Sequence, residues 1–194
     1  RIRALSGIQA SQDINVQNLK DADIIAVAQS GERSCIQTFF IRGGSNYGNR
    51  SYFLSHNADS SAADVLTAFL GQFYDDKDPP AEILLSDEPG DKELIAEALS
   101  SRAGRNVKLS RPQRGDRTKL TAMARHNAEE ALARHLADTG SQRRLLGELA
   151  DLFRLDAPPE RVEVYDNSHI QGRHAVGGMI VAGPEGFNKA AYRK

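Results

Sequence analysis

Asp166 is the residue whose type and setting speak most directly of chemistry. In Val162-Glu163-Val164-Tyr165-Asp166 it falls in phase with Val162 and Val164, so a strand would aim its carboxylate at the same face as two apolar side chains. A carboxylate so placed costs free energy unless it is paired or binds a cation. In two-metal nucleases a carboxylate on a rigid central strand holds hard divalent cations, which position and activate water for in-line attack on phosphate. The competing reading is structural: Asp166 ends the strand and caps the turn at Asn167-Ser168. Spacing alone leaves both open.

His169 and His174 follow at short range, and a neutral imidazole serves proton transfer or metal ligation. Three residues of separation from Asp166 in a turn fix no common face, so ordinary loop histidines are the favoured reading. His56, His126 and His135 are read as surface or helix residues. A second chemistry belongs to Arg111-Pro112-Gln113-Arg114-Gly115-Asp116-Arg117-Thr118-Lys119, which joins a strand to a long helix. Arg111, Arg114, Arg117 and Lys119, beside backbone amides and a helix N-terminus, suit phosphate oxygens, positioning DNA rather than reading its sequence. Aromatics for base stacking are missing there. No P-loop is present, Gly43-Gly44 does not fit a dinucleotide fingerprint, and Ser168 beside His169 lacks a nucleophile elbow.

The elements that must position these residues come in two runs. Ile24 to Ala28 and Cys35 to Ile41 flank a Ser30-Gly31-Glu32 turn and read as a hairpin; Gly43 to Asn49 reads as a turn cluster and Arg50 to Leu54 as a third strand. A helix capped by Ser60 or Ser61 follows, carrying Val65, Leu66, Phe69, Leu70 and Phe73 at helical spacing. Next come a strand at Glu82 to Ser86, a helix from Asp91 with Leu94, Ile95, Ala98 and Leu99 on one face, and a strand at Asn106 to Leu109. Leu120 to Leu136 predicts a long amphipathic helix, and Leu145 to Phe153 a further helix after Thr139-Gly140, ending before Pro158-Pro159. The β grammar then starts again: Val162 to Asp166, Ala175 to Val181, and Phe187 to Arg193 as a third strand. Upstream, Ile2 to Ile14 reads as the tail of a helix.

Three strands followed by alternating helices and strands is the order of a ribonuclease H-like domain, a mixed sheet with helices on its faces. The expectation is an α/β fold: one ribonuclease H-like mixed sheet with flanking helices, plus the first strands of a second ribonuclease H-like domain. In the first copy the position of Asp166 falls near Ala26 to Ala28, where no carboxylate stands.

Composition bounds the rest. The 194 residues are 40% hydrophobic and carry 25 Lys and Arg against 26 Asp and Glu, the balance of a folded chain that buries a core. No apolar run approaches a membrane span, and the single Cys35 excludes an internal disulfide framework and a thiolate cluster. Between Arg102 and Arg144 eleven Lys and Arg face four Asp and Glu, so this stretch is basic while the remainder is acidic. For the basic run, a polyanion-binding surface and a merely solvated one are equally good readings. The chain opens on Arg1 without Met and stops at Tyr192-Arg193-Lys194 in an unfinished β pattern, and so reads as a piece of a longer protein.

Val162 to His169, with Gly172 and Tyr192-Arg193-Lys194, resembles the start of the C-terminal endonuclease domain of the UvrC family, the incision subunits of bacterial nucleotide excision repair. Phe40 to Gly44 with Gly48-Asn49-Arg50, Phe73-Tyr74, Pro112 to Gly115, and Met123-Ala124 with Asn127-Ala128 resemble the central region of the same family, in the same order. The resemblance implies an endonuclease that cuts a damaged strand on both sides of a lesion, using Mg2+ or Mn2+. It implies UvrB as partner, with UvrA upstream, damaged double-stranded DNA as substrate and a cytoplasmic location. It assigns Asp166 as the first catalytic, metal-binding aspartate of the 5′ incision site, and sets His169 with the basic residues as candidate DNA contacts. The implied layout is 1–20 as the end of a UvrB-interacting helical segment, 21–140 as a noncatalytic central domain, 141–160 as helix and linker, and 161–194 as the first strands of the endonuclease domain. The alternative reading is a noncatalytic scaffold that docks DNA or repair partners.

Overall fold

A computed structural model describes residues 19–170 and 173–194, without the side chains of residues 168–175. The helix expected over Ile2 to Ile14 lies outside the described residues. Two compact units divide within a helix, at Leu132 and Ala133.

The first unit is built on a five-stranded mixed sheet. β1 (Ala22–Ser30), β2 (Arg33–Arg42) and β3 (Ser45–Ser55) form an antiparallel meander, while β4 (Glu82–Leu85) and β5 (Lys108–Ser110) add in parallel on the other side of β1, giving the order β3-β2-β1-β4-β5. A parallel addition needs crossovers, and the sequence supplies helices for them: α1 (Ala62–Phe73) and α2 (Lys92–Ala103). β1 is buried along its first seven residues, as a central strand covered on both faces must be. Its odd residues Ile25 and Val27 join Leu66, Phe69 and Leu70 of α1 in one core; its even residues Ile24 and Ala26 join Phe39, Leu120 and Ala124 in another. Leu120 and Ala124 belong to the opening turns of α3 (Asp116–Phe153), which therefore covers the second face. Two ion pairs tie α3 to the two ends of β4: Arg117 with Glu82 at its start, and Arg125 with Asp87 just beyond its end. Cys35 is fully buried on β2, between Ala28 of β1 and Phe53 of β3.

The start of α1 shows sequence acting locally. Ser61 caps it, accepting from the Asp64 amide at 3.2 Å, while Asp64 accepts from the Ser61 amide at 2.9 Å. The Ser61 hydroxyl, donating to the Asp64 carboxylate at 2.7 Å, and then the Ser61 amide hold that carboxyl below its ordinary range. At the far end of α2, Gly104 adopts φ 62°, the left-handed conformation that lets a helix stop without a Cβ clash.

Three local expectations are corrected. The third strand begins at Ser45, not Arg50: only Gly43 and Gly44 make the turn, and Gly48 at φ 145° with the bulge at Phe40/Ile41 lets the pairing run through. Leu94, expected on the buried face of α2, is exposed, and Leu99 carries that helix into the core. The two helices expected either side of Thr139-Gly140 are one, α3 of 38 residues. A lone interior glycine costs about 1 kcal/mol relative to alanine, too little to break a helix that is packed elsewhere. Thr139 meanwhile satisfies its hydroxyl within the helix by donating to the His135 carbonyl.

The second unit holds a three-stranded antiparallel sheet in the order β6-β7-β8: β6 (Val162–Ile170), β7 (Arg173–Gly183) and β8 (Gly186–Phe187). The strand expected over Phe187 to Arg193 survives as that short β8. A 3-10 turn at Lys189–Ala191 interrupts it, and the chain rejoins the sheet where Arg193 pairs with Met179. Both sheets thus begin with an antiparallel meander that has two residues between its first two strands. Counting back along the first strand sets Asp166 against Ala26; counting along the second, through the bulge between Ser168 and Ile170, sets it against Ile25, and neither position carries a carboxylate. The α/β, ribonuclease H-like arrangement expected from the sequence is the one observed.

Candidate active site

Asp166 lies in the middle of β6, directly across from Gly178 of β7. The strand continues to Ile170, so Asp166 does not cap a turn at Asn167-Ser168, and the structural alternative raised by the sequence fails. The face is the expected one: paired residues share a side of an antiparallel sheet, so Asp166 and Gly178 stand in line with Val164 and Ile180. The expected burial is not found. Asp166 is exposed and Val164 is 53% exposed, so among the described residues the carboxylate is not desolvated.

Asp166 borders a cleft of about 450 Å³ whose lining includes Val176, Gly178, Ile180, Tyr192 and Lys194. Its chemistry is set by β7 and by the last residues of the chain. Met179 and Arg193 exchange both backbone hydrogen bonds, at 2.9 and 3.1 Å, which pins the terminal segment against β7. The Arg193 guanidinium turns back to the carbonyls of Ala190 and Tyr192. On the opposite face of β6, Glu163 accepts from Tyr165 Oη and from Arg161 Nε. Those contacts hold the Glu163 carboxyl below its ordinary range, chiefly through the Tyr165 hydroxyl, and raise the Tyr165 phenol. Glu163 is therefore engaged on the wrong face to assist Asp166.

An oxygen donor such as Asp166 suits Mg2+ or Mn2+, but such a cation takes about six oxygen ligands. Among the described residues no group of three His, Cys, Asp or Glu side chains can hold a metal ion. Asp166 offers one ligand, and the described residues do not complete a centre. The side chains of His169 and His174 lie outside the described residues.

The basic loop is less available than its sequence suggests. Arg111 and Arg114 are exposed, but Arg117 is paired with Glu82 and Lys119 with Asp116 at 2.8 Å. Half of the four candidate phosphate contacts are thus ion-paired within the chain.

Two polar clusters escaped sequence reasoning. Asp23, on β1 and 1% exposed, accepts from Tyr74 Oη at 2.7 Å and from Arg42 Nη1 at 2.7 Å. Burial first, and the Asp23 charge second, push the Tyr74 phenol well above its ordinary range. Just past β4, Ser86 Oγ accepts from the Val27 amide at 3.1 Å and donates to Asp87, which also holds Arg125. Each cluster joins residues more than 35 positions apart, so no local spacing signals it. Asp23 is a strand carboxylate in the first unit, yet both its oxygens are engaged. By either count the position matching Asp166, Ala26 or Ile25, is a fully buried apolar residue.

Comparison with known proteins gives the same division. The model of the UvrC ribonuclease H-like domain matches residues 21–135, and that of the UvrC RNAse H endonuclease domain matches residues 150–194. Over all 194 residues the chain is 57% identical to the UvrABC system protein C of Paramagnetospirillum magneticum, of which it covers 31%. It is 53% identical to that of Ruegeria pomeroyi, again covering 31%, and 55% identical to that of Rhodospirillum rubrum, covering 30%. The chain spans about a third of the length of the curated relatives it matches. No helix among the described residues is long and apolar enough to cross a membrane.

Proposed function

Since this chain belongs to the family of the UvrC ribonuclease H-like domain, we propose that it is the central portion of an incision subunit of nucleotide excision repair, one that cuts damaged DNA on both sides of a lesion. Residues 161–194 begin the endonuclease domain, and Asp166 supplies its first catalytic carboxylate. Residues 21–140 form a noncatalytic copy of the same fold, residues 141–160 connect the two, and residues 1–20 end a UvrB-interacting segment. The observation that carries the reading is the contrast between matched positions. Asp166 stands exposed on a cleft in the segment resembling the endonuclease domain, while its counterpart in the first unit, Ala26 or Ile25, is a buried apolar residue.

In this reading Asp166 contributes one oxygen ligand to a divalent cation, Mg2+ or Mn2+, whose other protein ligands lie outside the described residues. Such a cation supplies a Lewis acid and an activated water for attack on phosphorus. This chain's own part is to fix the carboxylate on a paired strand and to leave open the space above Gly178.

The test is metal-dependent incision of a lesion-bearing duplex in the presence of UvrA and UvrB, comparing this chain with a longer version of family length. We expect 5′ cutting by the longer version alone, lost at least a thousand-fold in Asp166→Asn with DNA binding retained. Undiminished 5′ cutting by Asp166→Asn overturns the assignment. A second reading, a noncatalytic scaffold for DNA or repair partners, is favoured by one observation, the exposure of Arg111 and Arg114 beside α3.

A further inference from the structure

The register of the second sheet places a cation opposite Asp166. Met179 and Arg193 form an antiparallel pair, so the next residues outward, Gly178 and Lys194, stand across from each other. Gly178 is also the partner of Asp166. One row across three segments of chain therefore reads Asp166, Gly178, Lys194, with all three residues on the lining of the same cleft. At a strand spacing of about 4.8 Å, the α-carbons of Asp166 and Lys194 lie roughly 10 Å apart. Between them is a residue with no side chain. The neighbouring row is Val164, Ile180, Tyr192, of which Ile180 and Tyr192 also line the cleft.

An acidic and a basic residue on either side of a glycine, all three lining one cleft, make a trough with one acidic and one basic side. The group that fits is a phosphodiester, since its non-bridging oxygens carry the charge that a lysine ammonium binds. Gly178 is not required by packing: a Cβ built on it meets only the Asp166 carbonyl oxygen, at 3.9 Å. Its neighbour Gly177 differs, because a Cβ there comes within 2.9 Å of Asn167 Oδ1. The space above Gly178 is thus open for something other than this chain.

We propose that Lys194 binds a non-bridging oxygen of the DNA phosphate lying over Gly178, across the trough from Asp166. The proposal rests on reading this cleft as the incision site. It makes Lys194 a contact to the substrate and Gly178 the floor that admits it.

The experiment measures binding of the full-length protein, with UvrB, to a lesion-bearing duplex in EDTA, where no cutting intervenes. Lys194→Ala should lower the slope of log K against log salt by about 0.9, the release of one phosphate contact, and Lys194→Arg should keep it. An uncharged methylphosphonate at the 5′ cut position should weaken binding by the native protein about as much as Lys194→Ala does, and add nothing further in that variant. Gly178→Val should weaken binding as well while leaving the melting temperature unchanged. An unaltered salt slope in Lys194→Ala, or additive effects of that variant and the methylphosphonate, overturns the proposal. Failure of the incision reading appears elsewhere: if Asp166→Asn still cuts while Lys194 and the methylphosphonate remain coupled, the phosphate contact stands and the catalytic assignment falls.

Discussion

Asp23 and Asp166 show how differently two strand carboxylates can be used. Asp23 is held under α1 with one oxygen on Tyr74 and the other on Arg42, so its charge serves the fold. Removing one donor while leaving the acceptor buried forfeits more than the bond itself. Tyr74→Phe should therefore destabilise the protein by about 1–3 kcal/mol in urea titration, and a loss below a few tenths would show that water replaces the phenol. For Asp166 the alternation Val162, Val164, Asp166 was legible in the sequence, and the strand adopts that face. The burial that the apolar face suggested is not found, because burial depends on what covers the sheet and no strand pattern encodes that.

At the scale of elements, all five strands of the first unit and its helices were legible from hydrophobic period and turn residues. Strand limits were less so, because Gly48 and the β2–β3 bulge let pairing continue through residues that read as a turn. The merged α3 has the same cause in reverse: Gly140 lowers propensity, yet packing on either side outweighs it. Gly140 meets nothing within 4 Å of a built Cβ, so Gly140→Ala should raise stability by up to about 1 kcal/mol. Gly183→Ala should do the opposite, by about 1–3 kcal/mol, because its Cβ would sit 2.6 Å from the Glu160 carbonyl oxygen. Chemical denaturation of both variants checks the pair, and equal shifts would contradict the structure.

Across the whole molecule, charge is the feature most easily over-read. The basic run from Arg102 to Arg144 suggests a polyanion surface, but Glu82, Asp87 and Asp116 each engage one of its cations. Arg117 and Arg125 strap α3 to β4, a long-range role that the sequence cannot announce. Arg114→Ala should accordingly weaken DNA binding and flatten its salt dependence, whereas Arg117→Ala should leave DNA binding alone and cost about 1 kcal/mol of stability. Binding isotherms at two salt concentrations, read beside melting curves, separate these outcomes. Loss of DNA binding by Arg117→Ala at unchanged stability would return that residue to the DNA surface.

The burial of Cys35 gives the chain a built-in reporter. It is the one thiol in the sequence and is fully covered between β1 and β3, so a thiol reagent can reach it only when the first sheet opens. The pace of labelling then counts openings of that unit alone, without any engineered probe. It would tell whether DNA or a repair partner, once bound, holds the first unit shut.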